Sequence, residues 1–369
     1  MKRKKEKQII FSLVILLFSA TLFLLSCDKN QSNKMPEPEE THLSYKEIPI
    51  EYESFRKVIG WMSQEEVLVH TGEINNDILS IFNIFTGEIK PIYEAGSIIL
   101  TAIISENQQQ LLIQVAGENG GELRVLDRSG SVIQTLPLET KGFVNVNWNP
   151  ADQNHIFISY YQSDTEMVVG DWNVETNEVV SIPSASLTPA WYSANLYLYV
   201  DNKDDFSLET GDLYMGDIRT NEALRLRSQV SSFFVHEDTF ITFTSSDFAD
   251  DELLLTYQYP FMVDQSFMVI PKVTMNDRLV FPYLSQAARN TPVYGVFAKE
   301  AAQLELETGE FEFGELDFEN KTIKPILDLP DNAPISMAEN GKYVLYGWRF
   351  ESVIDIEQQK IYSLISMPN

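Results

Sequence analysis

One cysteine and four histidines are all that this chain offers to thiol or transition-metal chemistry. A lone thiol closes no intramolecular disulfide, so stability must come from the core itself. His42, His70, His155 and His236 show no metal-ligand spacing, so no zinc or copper site is expected, and a lone histidine in a strand is most often structural. Basic residues are also scarce: 27 against 54 acidic ones, a formal charge of −27. That balance excludes nucleic acid as a partner and a flat seat on an anionic lipid surface. Long amphipathic helical periodicity is missing; the only candidates for a helical excursion are 285–289 and 299–303. No Gly-x-Ser-x-Gly elbow occurs, and no hydrolase domain follows the body of the chain. The glycine-rich Gly117-Glu118-Asn119-Gly120-Gly121 lacks the lysine and following helix of a phosphate loop and reads as a hairpin connection. No catalytic residue and no cofactor is assigned.

What the chain does have begins at its N-terminus. Lys2, Arg3, Lys4, Lys5 and Lys7 precede an almost wholly apolar run from Ile9 to Leu25. A basic head, an apolar middle and a small residue before a cut site make an export signal over 1–26. Its ending, Leu24-Leu25-Ser26-Cys27, resembles the bacterial lipobox. The resemblance implies cleavage between Ser26 and Cys27 and a diacylglyceryl thioether on the Cys27 thiol. Two acyl chains anchor durably where one holds only marginally. Two other readings stand beside it: a free Cys27 after an ordinary signal, or an uncleaved span at the short end of the membrane-crossing range. Residues 27–44 are polar and acidic, with too little apolar surface to fold, and read as a flexible tether. Without 1–26 the formal charge becomes −31, because five basic residues and one acidic residue leave together.

Residues 45–369 read as all-β. Leu111-Leu112-Ile113, Ile156-Phe157-Ile158, Leu196-Tyr197-Leu198-Tyr199-Val200 and Phe240-Ile241-Thr242-Phe243 are short β-branched or aromatic runs bounded by turn residues. An apolar strand, a tight turn and a second apolar strand recur around Gly87, Gly130, Asn177, Asn221, Asn320 and Gln358. Gly or Asn there supplies the positive φ of a tight hairpin. The steps between turns are 43, 47, 44, 99 and 38 residues. A period in the low forties with four strands per unit is the signature of β-propeller blades. The step of 99 is two units, with a degenerate hairpin at 257–270 turning near Asp264. The expectation is a β-propeller of six or seven four-stranded blades: seven by hairpin count, six if part of 247–303 is an insertion. The competing fold is a β-sandwich or a pair of them.

Lipobox, acidic tether and hairpins such as Phe85-Thr86-Gly87-Glu88-Ile89-Lys90-Pro91-Ile92 and Asn320-Lys321-Thr322-Ile323-Lys324-Pro325-Ile326 together resemble the YqgU-like β-propeller lipoproteins of Gram-positive bacteria. The resemblance covers the whole chain, implies six blades, and brings no catalytic residues.

Two acidic loops remain, Asp201-Asn202-Lys203-Asp204-Asp205 and Asp247-Phe248-Ala249-Asp250-Asp251-Glu252; neither has the spacing of a known calcium loop. The aromatic stretches 257–263 and Phe281-Pro282-Tyr283 fall where the repeat breaks down, as binding insertions on a propeller do and as a divergent core blade would; Pro260, Pro271 and Pro282 argue against a regular central strand. The first functional reading is a non-catalytic propeller, lipid-anchored to the cell membrane through Cys27 on its extracytoplasmic side, that binds a protein or small ligand. The second is a propeller enzyme, a lyase or hydrolase of cell-wall or carbohydrate substrates. It would require histidines and arginines from several blades to meet in one pocket.

Overall fold

The continuous apolar runs become the middle strands of sheets that are covered on both faces. In the computed structural model, which describes residues 44–117, 120–140, 142–163, 166–202, 205–246 and 249–366, seven four-stranded antiparallel sheets follow one another along the chain. They span 55–94, 99–138, 145–181, 190–228, 232–271, 284–329 and 335–363, and are numbered here as blades 1 to 7. In blade 2 the second strand, Gln110–Ala116, is buried at five successive positions. A strand packed between two neighbouring sheets has no wet face, so alternation gives way to a solid apolar run. The fourth strands lie outermost; Glu178–Ser181 of blade 3 is exposed throughout.

An apolar core lies between every pair of neighbouring blades. Leu68 and Leu79 of blade 1 pack with Leu111 and Val115 of blade 2. Phe157 of blade 3 stacks on Trp191 of blade 4 with ring centroids 3.7 Å apart. Leu345 and Leu364 of blade 7 return to Phe55 and Phe82 of blade 1. Blades 2 and 3, 4 and 5, 5 and 6, and 6 and 7 share the remaining cores, so the ring closes at seven. The hairpin count of seven stands, and the six implied by the family resemblance does not describe this ring. A step of 99 residues in the turn spacing does hold one extra blade, whose outer hairpin joins Glu252–Gln258 to Asp264–Pro271.

No strand is exchanged across the seam between blades 7 and 1, because each blade takes its four strands from one continuous stretch of chain. The chain before blade 1 lies over the seam instead. Lys46 N–H donates to the Ile84 carbonyl at 2.8 Å and Ile48 N–H to the Leu364 carbonyl at 2.7 Å. Tyr45 stacks on Tyr362 and donates its hydroxyl to Asp355 Oδ2 at 2.7 Å. Burial, and then the Asp355 carboxylate, hold the Tyr45 hydroxyl far above the usual phenol range.

Neither expected helical excursion forms. Leu284–Gln286 is the first strand of blade 6, and Ala302–Gln303 pairs with Val273–Met275, which also pairs with Arg278–Val280. This small three-stranded sheet is the insertion within 247–303. Among the described residues the one helical element is a 3-10 turn at Tyr52–Ser54.

Six of the seven outer hairpins use one device. The last residue of the third strand is Asn83, Asp127, Asn173, Asp217, Asp317 or Asp355, and its side chain accepts a backbone N–H two to four residues on. These Asx turns set the bend locally. Positive φ then falls at Gly87, Gly130, Asn177 and Asn221, but at Lys321 and Gln359 rather than Asn320 and Gln358.

Candidate ligand site at the channel mouth

The first strand of each blade is innermost, and the seven end on one face. Their last residues are Trp61, Ile104, Trp148, Trp191, His236, Gln286 and Met337. They occupy equivalent places around the channel mouth, which opens as two adjoining lobes. The larger, about 640 Å³, is bounded by blades 1, 2, 5, 6 and 7. The smaller, about 470 Å³, is bounded by blades 2 to 5, and Glu106, His236 and Glu237 belong to both.

The three indoles are fixed by their own N–H groups. Trp61 Nε1 donates to the Ser336 carbonyl, Trp148 Nε1 to Gln153 and Trp191 Nε1 to Asn147, at 2.9 to 3.0 Å. The bonds of Trp61 and Trp191 reach the neighbouring blade, that of Trp148 its own next turn, and all three indoles are nearly buried. Arg128 holds the rim between blades 1 and 2: one terminal nitrogen donates to the Met62 and Gln108 carbonyls and the other to Glu66. The two polar members of the ring, His236 and Gln286, sit side by side in blades 5 and 6. His236 Nε2 lies 3.8 Å from Glu106 Oε1, and its Nδ1 is buried with no hydrogen-bond partner. Gln286 is 6% exposed; its Nε2 donates to the Thr291 carbonyl at 2.8 Å, and its Oε1 is buried without a partner. Buried polar atoms left unpaired are rare in folded proteins and call for an explanation.

The other two described histidines are elsewhere. His70, in the second strand of blade 1, bonds through Nε2 to Asp77 Oδ2 at 2.9 Å, and Asp77 Oδ2 also accepts the Ile99 N–H. Burial depresses the His70 pKa, partly opposed by Asp77, so the imidazole is neutral there. His155, opening the second strand of blade 3, bonds through Nδ1 to Asp171 Oδ2 at 2.8 Å. Burial pushes the Asp171 carboxyl up, against the pull of His155. Both pairs staple strands within a blade, and only His236 reaches the mouth. The meeting of histidines that the enzyme reading requires does not occur among the described residues.

Both acidic loops join the second and third strands of adjacent blades, 4 and 5, on the face opposite the mouth. The described parts are internally engaged: Asp205 accepts from the backbone and hydroxyls of Ser207 and Thr210, which hold its carboxyl far below the usual range. Glu209 links the loops by pairing with Lys272 at 2.7 Å and Ser245 at 2.9 Å. Among the described residues no three His, Cys, Asp or Glu side chains converge as a metal site. Tyr259–Pro260 is a cis peptide in the outer hairpin of blade 5, and Phe261 turns inward against Tyr192 and Phe240. Cys27, Ser26, the signal, nearly all of the tether with His42, and Glu118, Asn119, Lys203, Asp204, Asp247 and Phe248 lie outside the described residues.

A family model for the YqgU-like six-bladed β-propeller domain matches residues 83–347. The chain belongs to that family. The matched stretch holds blades 2 to 6 whole and parts of blades 1 and 7. The YqgU lipoprotein of Bacillus subtilis (strain 168), described as uncharacterized, is 22% identical over 357 residues, which is 96% of this chain and 97% of its own. A crystal structure of an uncharacterized protein from Listeria monocytogenes EGD-e aligns with a TM-score of 0.80 at 24% identity, covering 88% of this chain and 98% of the other. The oligogalacturonate lyase of Vibrio parahaemolyticus aligns at 0.52 and 13% identity, covering 82% and 86%. At these identities the structural likenesses speak to the fold alone. In this YqgU-like chain the mouth ring was missed in the sequence, although Trp61, Trp148 and Trp191 stand 87 and 43 residues apart, multiples of the blade period.

Proposed function

We propose that this protein is held to the extracytoplasmic side of the cell membrane by lipid on Cys27, and that its propeller is a non-catalytic binding module whose ligand sits in the channel mouth. The anchor is supported by the lipobox-like Leu24-Leu25-Ser26-Cys27 and by the lipoprotein name of the Bacillus relative. The observation that carries the binding reading is the mouth: seven strand ends surround an open, two-lobed cavity lined by Trp148, Trp191, Glu106, His236 and Glu237, while the other described histidines are spent on strand pairing. Pockets of a few hundred cubic ångström with a few convergent polar groups are the usual small-ligand sites.

Cys27→Ala is expected to abolish labelling by a fatty-acid analogue and to release the protein from membranes; a variant still cleaved and membrane-bound would overturn the anchor. For the mouth, the native lipoprotein is purified, denatured and its released small molecules analysed by mass spectrometry. A molecule that accompanies wild type but not Glu106→Trp, in which a bulky ring obstructs the rim, is expected. Wild-type protein with no such molecule, combined with in-cell cross-links that map only to residues 257–263, would move recognition to the outer hairpin of blade 5.

A further inference from the structure

We infer that the outer strand of blade 5, Asp264–Pro271, pairs antiparallel with the same strand of a second copy of this chain, joining two propellers edge to edge about a two-fold axis at Met268. The inference is independent of what the mouth binds.

The first ground is that this edge alone is unguarded. The fourth strand of every blade is the last of its sheet, so the backbone groups on its outer side meet no further strand. Such edges invite pairing with other chains, and proteins blunt them with charge, proline or brevity. Six of the seven edges here are blunted. Pro91, Pro137 and Pro325 interrupt the outer strands of blades 1, 2 and 6, and Arg225 and Arg227 charge that of blade 4. Those of blades 3 and 7 have only four residues each. The outer strand of blade 5 has eight residues, and the six from Gln265 to Ile270 hold no charge and no proline. A run of that composition pairs readily with other strands.

The second ground is the direction of its backbone groups. Lys272 N–H donates to the Asp251 carbonyl at 2.9 Å, in the register that sets Leu253 opposite Ile270 and Leu255 opposite Met268. Met268 and Ile270 therefore turn their N–H and C=O groups to the third strand, and Phe267 and Val269 turn theirs outward. Pro271 falls in the outward set, where its missing N–H costs the blade no ladder bond. The side chains divide the same way. Met268 and Ile270 are buried against blade 6, whereas Phe267 and Val269 are 52% and 44% exposed.

The third ground identifies the occupant. At a formal charge of −27, two copies repel over most of their surface. The edge of blade 5 is a neutral strip on that acidic body: 265–270 is uncharged, and the charges that flank it are already paired, Asp264 with Arg227 and Lys272 with Glu209. A second copy meets least repulsion there. The strand is also its own complement. Antiparallel pairing about Met268 sets Phe267 of each copy opposite Val269 of the other, with both side chains on one face, an aromatic and β-branched pair made twice. A two-fold pairing uses both edges and closes, which gives a dimer and not a fibre.

The full lipoprotein in detergent, followed by sedimentation velocity over a dilution series, should show a reversible monomer–dimer equilibrium. Phe267→Lys/Val269→Lys sets like charges opposite one another and should raise the dimer dissociation constant by about tenfold or more. Leu224→Lys, at an exposed position on the outer strand of blade 4, should leave it unchanged. In a second variant, Phe267→Cys/Val269→Cys, oxidation by copper–phenanthroline should join position 267 of one copy to position 269 of the other, because opposed strand residues lie within disulfide reach. Peptide mapping reads that register, distinguishes Cys27, and keeps the test decisive should the lysine variant fail to fold. A monomer at every concentration overturns the inference. So does a dimer that the lysine pair leaves intact, one that Leu224→Lys weakens equally, or one whose disulfides map to another register. A foreign protein cross-linked at 267 and 269 of a monomeric chain overturns the second copy as the occupant.

Discussion

His70, a lone strand histidine of the kind that is most often structural, is a strand staple in the fold. Its ring is buried between the second and third strands of blade 1, with Asp77 as partner and Arg56 and Lys57 close enough to disfavour a second proton. The folded pKa lies below the unfolded value of about 6.5, so the unfolded chain binds the extra proton first. The stability from neutral His70 is therefore complete above about pH 6.5 and is lost as pH falls below it. Urea unfolding between about pH 5 and 7 should give a shallower slope of stability against pH for His70→Asn than for wild type. Identical slopes would mean that the His70 pKa does not change on folding. The turn residues carry a second lesson at this scale. Positive φ falls four residues after Asp317 and Asp355, at Lys321 and Gln359, the same offset as from Asn83, Asn173 and Asp217, and there it lands on residues that no glycine-or-asparagine rule selects.

Blades are the elements, and their middle strands are the most constrained part. In blade 4 Tyr197 pairs across the ladder with Gly216 and lays its ring over it, while its hydroxyl donates to the Pro183 carbonyl at 3.1 Å. A methyl group at Gly216 would occupy the space of that ring. Gly216→Ala should cost about 1–3 kcal/mol, the range for forcing extra volume into a packed core, and the near-ultraviolet tyrosine signal should change with it. Unchanged unfolding would show that the ring moves aside freely. The expected helical excursions fail at this same level. Residues 284–286 are too short a stretch for periodicity to decide, and cross-strand pairing with Val293, Tyr294 and Gly295 makes them a strand.

For the whole molecule, the seam between blades 7 and 1 is the weak point of a ring whose blades exchange no strand. Ile48, 3% exposed, belongs to the core that joins those two blades. Ile48→Ala should lower unfolding free energy by about 2–4 kcal/mol, as for a buried Ile truncated to Ala. Loss of well under about 1 kcal/mol would mean that the chain over the seam does not contribute to closure. The formal charge acts at this scale too. With 54 acidic against 27 basic residues, self-repulsion opposes the compact state, and moderate salt should raise the unfolding midpoint by screening it.

The repeat was legible in the sequence because its signals are local: turn residues, short apolar runs and a period in the low forties all survive divergence between blades. The same locality made the count of seven readable from hairpins alone. The lipobox-like segment is local in the same way. The mouth is different. Whether Gln286, His236 or Glu106 faces the channel depends on strand register and on which strand is innermost, and Glu106 of blade 2 comes within 3.8 Å of His236 of blade 5 only across the ring. Which histidines are structural was likewise decided by cross-strand partners, Asp77 and Asp171, that sequence separation does not reveal. A blade-built β fold and an acidic, disulfide-free body follow from local signals in the sequence; the closed ring decides which strand ends meet at the channel mouth, because that meeting is a property of closure and not of any one repeat.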